Sequence, residues 1–125
     1  MGVKVKLSVL MVEDNSDHVD LCREHLSADE FELTVARSGA EALSSIKKRP
    51  FDVILLDYLL PDTNGMDLLP RIREFQPNAV ILFVSAVDDA DLSYQAIRSG
   101  ATDYVIKGFG YFRTLPQRIR ESLED

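Results

Sequence analysis

Five short runs rich in Val, Ile and Leu recur along the chain, at residues 7–12 (LSVLMV), 31–36 (FELTVA), 52–56 (DVILL), 79–84 (AVILFV) and 102–106 (TDYVI). Each is followed by a segment whose apolar residues repeat with helical spacing, as Val19, Cys22 and Leu26 do, then Leu68, Leu69, Ile72 and Phe75, then Phe112, Leu115, Ile119 and Leu123. Strict strand–helix alternation leaves few folds open. Parallel strands need a crossover, and each right-handed crossover lays its helix over one face of the sheet or the other. The pattern therefore predicts an α/β fold of five strands and five helices, with a parallel sheet covered on both faces. Three of the five contain continuous apolar runs, at residues 9–12, 53–56 and 79–84, as doubly covered strands should.

A chain of 125 residues has room for one hydrophobic core, and no linker or internal repeat divides it. Residues 1–125 read as one domain, either standing alone or as a fragment of a longer protein. The net charge of −7 is spread out, with no basic cluster, so no nucleic-acid surface is expected. Cys22, the single cysteine, excludes an internal disulfide and takes an apolar helical position, which suits a reducing interior. The N-terminal lysines and apolar stretch are too short for a signal peptide or a membrane span, so a cytoplasmic protein is expected.

Helix boundaries carry their own signals. Ser38 followed by Glu41 reads as a capping box, Asp88 as the cap of the fourth helix, and Gly100 as its stop. Pro70 must lie in a first turn or kink its helix. Pro116 poses the same choice, and "TLPQ" offers a second capping box.

The third run leads directly into Asp57. A charge closing so apolar a strand must sit at the sheet's open end or be paired. In open α/β sheets that end is where ligands bind, at the point where strand order reverses. Glu13 and Asp14 follow the first run, Ser85 the fourth and Lys107 the fifth. Three carboxylates on one rim repel each other, and a hard divalent cation relieves the crowding; oxygen-only donors suit Mg²⁺ or Mn²⁺. Lys107 and Ser85 stand where a phosphoryl group on Asp57 would need its oxygens stabilised. The set reads as phosphoryl transfer to a carboxylate, with Asp57 as the covalent acceptor. His18 and His25 read as solvated surface, and Arg37 has no evident task.

The acidic pair Glu13–Asp14, "DYLLPDTNG" beginning at Asp57, "SA" at Ser85–Ala86 and "GATDYVIK" ending at Lys107 together resemble the receiver domain of two-component response regulators, over the whole chain. That resemblance implies a (βα)5 flavodoxin-like fold with strand order 2-1-3-4-5. It implies that Asp57 accepts a phosphoryl group from a histidine kinase or histidine phosphotransfer protein. Mg²⁺ would be held by Asp14, Asp57 and the backbone carbonyl of Leu59, with Glu13 acting through water. Ser85 and Lys107 would contact the phosphoryl oxygens, and small Ala86 would leave room for the group. Ser85 and Tyr104 would be the switch, remodelling the face made by the fourth helix, fifth strand and fifth helix for an output domain or partner, with homodimerisation a possible response. The chain departs from the family just after Lys107, where Gly108 stands in place of the usual proline; a trans bond is expected between them. Leu59 and Val87, which flank the path of attacking water, predict slow dephosphorylation.

Other readings fit less well. A dehalogenase-type phosphatase wants an aspartate two residues past the nucleophile, where this chain has Leu59. A flavin module needs a hydroxyl- and glycine-rich loop where this chain has "EDNSD". Ser85 lies in no Gly-x-Ser-x-Gly turn. A receiver that works without phosphorylation would be expected to have a broken acidic pocket, and here every position is intact.

Overall fold

The computed structural model describes residues 5–124, so the first four residues of the N-terminal stretch lie outside it. In chain order the elements are β1 (Leu7–Val12), α1 (Ser16–His25), β2 (Phe31–Ala36), α2 (Gly39–Lys48), β3 (Val53–Asp57), α3 (Gly65–Phe75), β4 (Val80–Ser85), α4 (Ala90–Arg98), β5 (Asp103–Ile106) and α5 (Leu115–Leu123). A 3-10 turn, Tyr111–Arg113, precedes α5. The five strands form one sheet in the order β2-β1-β3-β4-β5, every pair parallel. This is the doubly wound, flavodoxin-like arrangement, with its reversal between β1 and β3.

Side chains alternate across a strand, and the core splits accordingly. Leu10, Val12, Ile54, Leu56, Ile81 and Phe83 face α2, α3 and α4, meeting Ile46, Leu69, Ile72 and Ala96. Val9, Met11, Val53, Leu55, Leu82, Val84 and Val105 face α1 and α5, meeting Val19, Cys22, Leu115 and Ile119. Carried one step past the last apolar residue, the same alternation sends Glu13, Asp57 and Lys107 toward α1 and α5. It sends Ser85 and Tyr104 toward the other face.

Some boundary expectations are corrected. Asp89, not Asp88, caps α4, accepting from the Asp91 backbone N–H at 2.8 Å. Thr114 makes no capping bond; its hydroxyl donates instead to the Tyr111 carbonyl. Pro116 sits in the first turn of α5, but Pro70 lies well inside α3. Its missing N–H would have bonded the Met66 carbonyl, a loss made tolerable because Pro70 faces solvent. Phe75 is also exposed, 5.3 Å beneath the Lys47 ammonium, and Phe112 belongs to the 3-10 turn rather than to α5. Ser38 does cap α2, accepting from Glu41 N–H, while the Glu41 carboxylate reaches back to Arg37 N–H. Gly100 follows α4 as its stop, and Ala101 N–H closes the turn on the Ala96 carbonyl at 3.0 Å.

At the amino end of the sheet two polar side chains act as staples. The buried amide of Gln76 donates to the Ile46 and Arg49 carbonyls and accepts from Phe51 N–H. The Arg73 guanidinium donates to the carbonyls of Gly100, Gln76, Pro77 and Ala79. Chain segments leading into β3, β4 and β5 are thereby joined.

Candidate functional site

Register brings the site together. Val12 pairs with Leu56, so Glu13 comes level with Asp57; Asp57 pairs with Val84, so Ser85 stands just beyond it. Lys107 follows β5, its backbone N–H bonded to the Ser85 carbonyl. A cleft of about 450 Å³ opens at this rim, lined by Glu13, Asp14, Asp57, Leu59, Ser85, Ala86, Val87 and Lys107, with His18 on its α1 side.

Gly65 shapes the floor. A Cβ there would lie 2.5 Å from the Asp57 carbonyl oxygen, so any side chain at residue 65 would push α3 away from the strand end. Gly65 N–H donates to the Tyr58 carbonyl and Leu60 N–H to that of Thr63, which folds the loop back on itself around a bridge between Leu59 and Asn64. Leu59's own carbonyl takes no part in that bridge. The leucine side chain is 70% exposed and lines the cleft.

Asp57 is 7% exposed and Glu13 2%. Lys107 Nζ lies 2.7 Å from Glu13 Oε1 and 2.9 Å from Asp57 Oδ1. Burial, and then the Glu13 charge, push the Asp57 carboxyl up to about 6 against the downward pull of Lys107. Burial alone would lower the Lys107 ammonium, but its hydrogen bonds to Glu13 and Asp57 prevail and hold it above its ordinary value. One cation therefore serves two buried acids incompletely.

Glu13, Asp14 and Asp57 each offer a carboxylate oxygen, all within 4.8 Å of one another. This oxygen-only set, under-neutralised by Lys107 and open to solvent through exposed Asp14, fits a hard divalent cation of the Mg²⁺ type.

On the other face Ser85 and Tyr104 meet at a single residue. Ser85 Oγ accepts from Val87 N–H at 3.0 Å, and the Tyr104 hydroxyl donates to the Val87 carbonyl at 2.5 Å. The Tyr104 ring stacks on Phe83, centroids 5.7 Å apart.

All the strand-end residues singled out from the sequence thus share one cleft. The sequence reading missed His18. Far from being a free surface residue, its Nδ1 lies 3.2 Å from Lys107 Nζ and 3.4 Å from Glu13 Oε1. Tyr111 was missed too, its ring centroid 5.9 Å from Lys107 Nζ and 6.3 Å from that of His18. Strand alternation could have signalled both, since it turns Lys107 toward α1. Arg37 has a partner as well, donating to Ser16 Oγ at 3.2 Å. Among the described residues no peptide bond is cis, so the bond from Lys107 to Gly108 is trans, as expected.

Residues 9–120 match the family described as the response regulator receiver domain. The regulatory protein LuxO of Vibrio cholerae is 38% identical over 97 residues, 78% of this chain but 21% of LuxO. The transcriptional regulatory protein ZraR of Klebsiella oxytoca is 28% identical over 82% of this chain and 23% of its own length. This chain thus spans under a quarter of either relative. A CheY-like receiver domain crystal structure from Methanospirillum hungatei JF-1 superposes with a TM-score of 0.87 at 26% identity, covering 96% of this chain and 95% of the other.

Proposed function

We propose that this chain, which belongs to the response regulator receiver domain family, takes a phosphoryl group on Asp57 and uses it as a temporary signal. The observation that carries the reading is the buried Asp57 carboxylate, salt-bridged to Lys107 and within reach of two further acids. An Asp57 oxygen attacks phosphorus, a new O–P bond forms, and the donor's bond breaks with its electron pair leaving on the donor. Lys107 exchanges its bond to Asp57 for one to a phosphoryl oxygen, and Ser85 Oγ supplies a second donor. A Mg²⁺ ion held by Asp14, Asp57 and the Leu59 carbonyl, with Glu13 acting through water, would neutralise charge on the phosphoryl oxygens. Mn²⁺ has the same donor preference.

In the resting arrangement Val87 N–H is bonded to Ser85 Oγ and the Val87 carbonyl to Tyr104. Turning Ser85 toward the phosphoryl group releases the first bond and shifts the second, which carries the change to the face of α4, β5 and α5. Exposed Tyr94, Ile97 and Ile106 on that face suit an output domain, a protein partner or a second copy. The donor is a histidine kinase or histidine phosphotransfer protein, and the setting is cytoplasmic. Among the described residues no helix is long and apolar enough to cross a membrane. The domain is a signalling unit whose chemistry is confined to itself: it transfers the group to Asp57 and lets water attack phosphorus to free the carboxylate and inorganic phosphate. Leu59 and Val87, apolar and exposed at the mouth of the cleft, slow that attack.

Intact mass after incubation with acetyl phosphate, with and without Mg²⁺, tests the reading. One Mg²⁺-dependent phosphoryl adduct is expected, absent in Asp57→Asn and decaying slowly after the donor is removed. No adduct on wild type in the presence of bound Mg²⁺ would favour a receiver that acts by protein binding alone.

A further inference from the structure

The Lys107 ammonium has three protons and, in this structure, three acceptors. They are Glu13 Oε1 at 2.7 Å, Asp57 Oδ1 at 2.9 Å and His18 Nδ1 at 3.2 Å. An ammonium can only donate, so a hydrogen bond from Lys107 makes Nδ1 the imidazole acceptor and leaves the neutral ring's proton on Nε2, whereas an Nδ1–H ring would instead donate to Glu13 Oε1, 3.4 Å away. Two of the three acceptors are spoken for once the site works, on the proposed reading of Asp57 as phosphoacceptor. The bond to Asp57 passes to a phosphoryl oxygen, and Glu13 would serve the divalent cation through its bound water. His18 is the one partner that neither event removes.

Its chemical type suits that place. A carboxylate there would cancel the lysine charge and repel an incoming phosphoryl group; an aliphatic side chain would leave a donor without a partner in a half-buried site. A neutral imidazole directs the ammonium without neutralising it. The ring is itself held in place. Tyr111 meets it edge-on at an interplanar angle of 82°, and the Tyr111 hydroxyl lies 4.0 Å from buried Cys22 Sγ on α1. Gly110, in the left-handed region at φ 72°, turns the chain so that Tyr111 comes back beneath Lys107.

We infer that His18 is a positioning residue for phosphoryl transfer, aiming the Lys107 ammonium at the phosphoryl group through its Nδ1 while Tyr111 fixes the imidazole.

The test exploits the difference between the two ring nitrogens. In His18→Asn the amide oxygen falls near the place of Nδ1; in His18→Gln the amide lies one carbon farther out, near Nε2; His18→Leu has no acceptor. At saturating Mg²⁺, adduct formation from acetyl phosphate should slow about fivefold to tenfold in His18→Leu and His18→Gln, in the maximal rate rather than in the half-saturating donor concentration. His18→Asn should stay within about twofold of wild type, with unfolding curves reporting that all three fold. The ¹⁵N shifts of the His18 ring in metal-free protein should show an Nε2–H tautomer, and Lys107→Met should move the Nδ1 signal. Leu or Gln variants as fast as an active wild type, an Asn variant as slow as Leu, or an Nδ1–H tautomer would each overturn the inference while leaving the phosphoacceptor reading intact. A wild type that takes no phosphoryl group removes that reading and the inference together.

Discussion

The two ends of the sheet solve opposite problems with similar polar residues. At the amino end, Gln76 and Arg73 meet backbone groups that need partners, and each acceptor or donor finds one. At the carboxyl end Glu13 and Asp57 share one lysine, and Asp57 is left with a carboxyl pushed up to about 6. Buried polar groups add to cohesion when satisfied and are costly when they are not. The amino rim therefore serves stability, and the carboxyl rim holds an unsettled charge that a cation and a phosphoryl group can answer.

Four substitutions or conditions would break or sharpen that contrast. Gln76→Leu should destabilise the fold by about 3 kcal/mol, because it leaves the buried Phe51 N–H and Ile46 carbonyl, and the half-buried Arg49 carbonyl, without this partner. Denaturant unfolding measures this, and the phosphorylation rate of the folded fraction should not change; a loss of rate would mean the two ends are coupled. Lys107→Ala should slow adduct formation roughly a hundredfold, the usual effect of removing one donor to developing charge. A smaller loss would show that the cation alone carries the transfer.

Asp57→Asn should stabilise metal-free protein at pH 7 by about 2 kcal/mol, since it removes a buried charge. The sign follows from the raised carboxyl. Between an unfolded value near 3.8 and the folded value of about 6, the native state binds the extra proton. Metal-free wild type should accordingly gain stability as pH falls from about 7 to about 4, and Asp57→Asn should lack that component. Thermal unfolding across this range would decide it, and a wild type that loses the same stability on acidification as the variant would contradict the assignment. Last, Mg²⁺ affinity should fall about tenfold between pH 7 and pH 5, as Asp57 takes up a proton. Titration calorimetry at the two pH values measures it.

Much of the carboxyl rim was legible because it depends on topology. Once five apolar runs alternate with helices, the residues closing those runs must share one edge, and so Asp57, Ser85 and Lys107 could be placed together before any distance was known. Boundaries at these positions shifted only slightly, Asp57 and Ser85 closing their strands rather than following them. The amino rim was illegible for a physical reason. Gln76 ends a helix in a polar stretch, and nothing local marks it as buried; its partners lie 25 to 30 residues away in sequence. His18 was obscured differently. It lies on the polar side of a pattern set by Val19 and Cys22, and becomes part of the site only because Lys107 extends toward α1. Pro70 shows the limit of a local rule, since solvent can serve a carbonyl that the helix leaves without its usual partner.

The bonds that tie Ser85 and Tyr104 to Val87 involve only that residue's backbone. Evolution is therefore free to change the side chain at residue 87 to retune hydrolysis or docking without touching the linkage. Chain length is another matter. One residue inserted after Ser85 would leave both hydroxyls where they are and put a different peptide unit between them. Substitutions should thus drift freely at this position, while insertions and deletions between Ser85 and Asp89 should be purged.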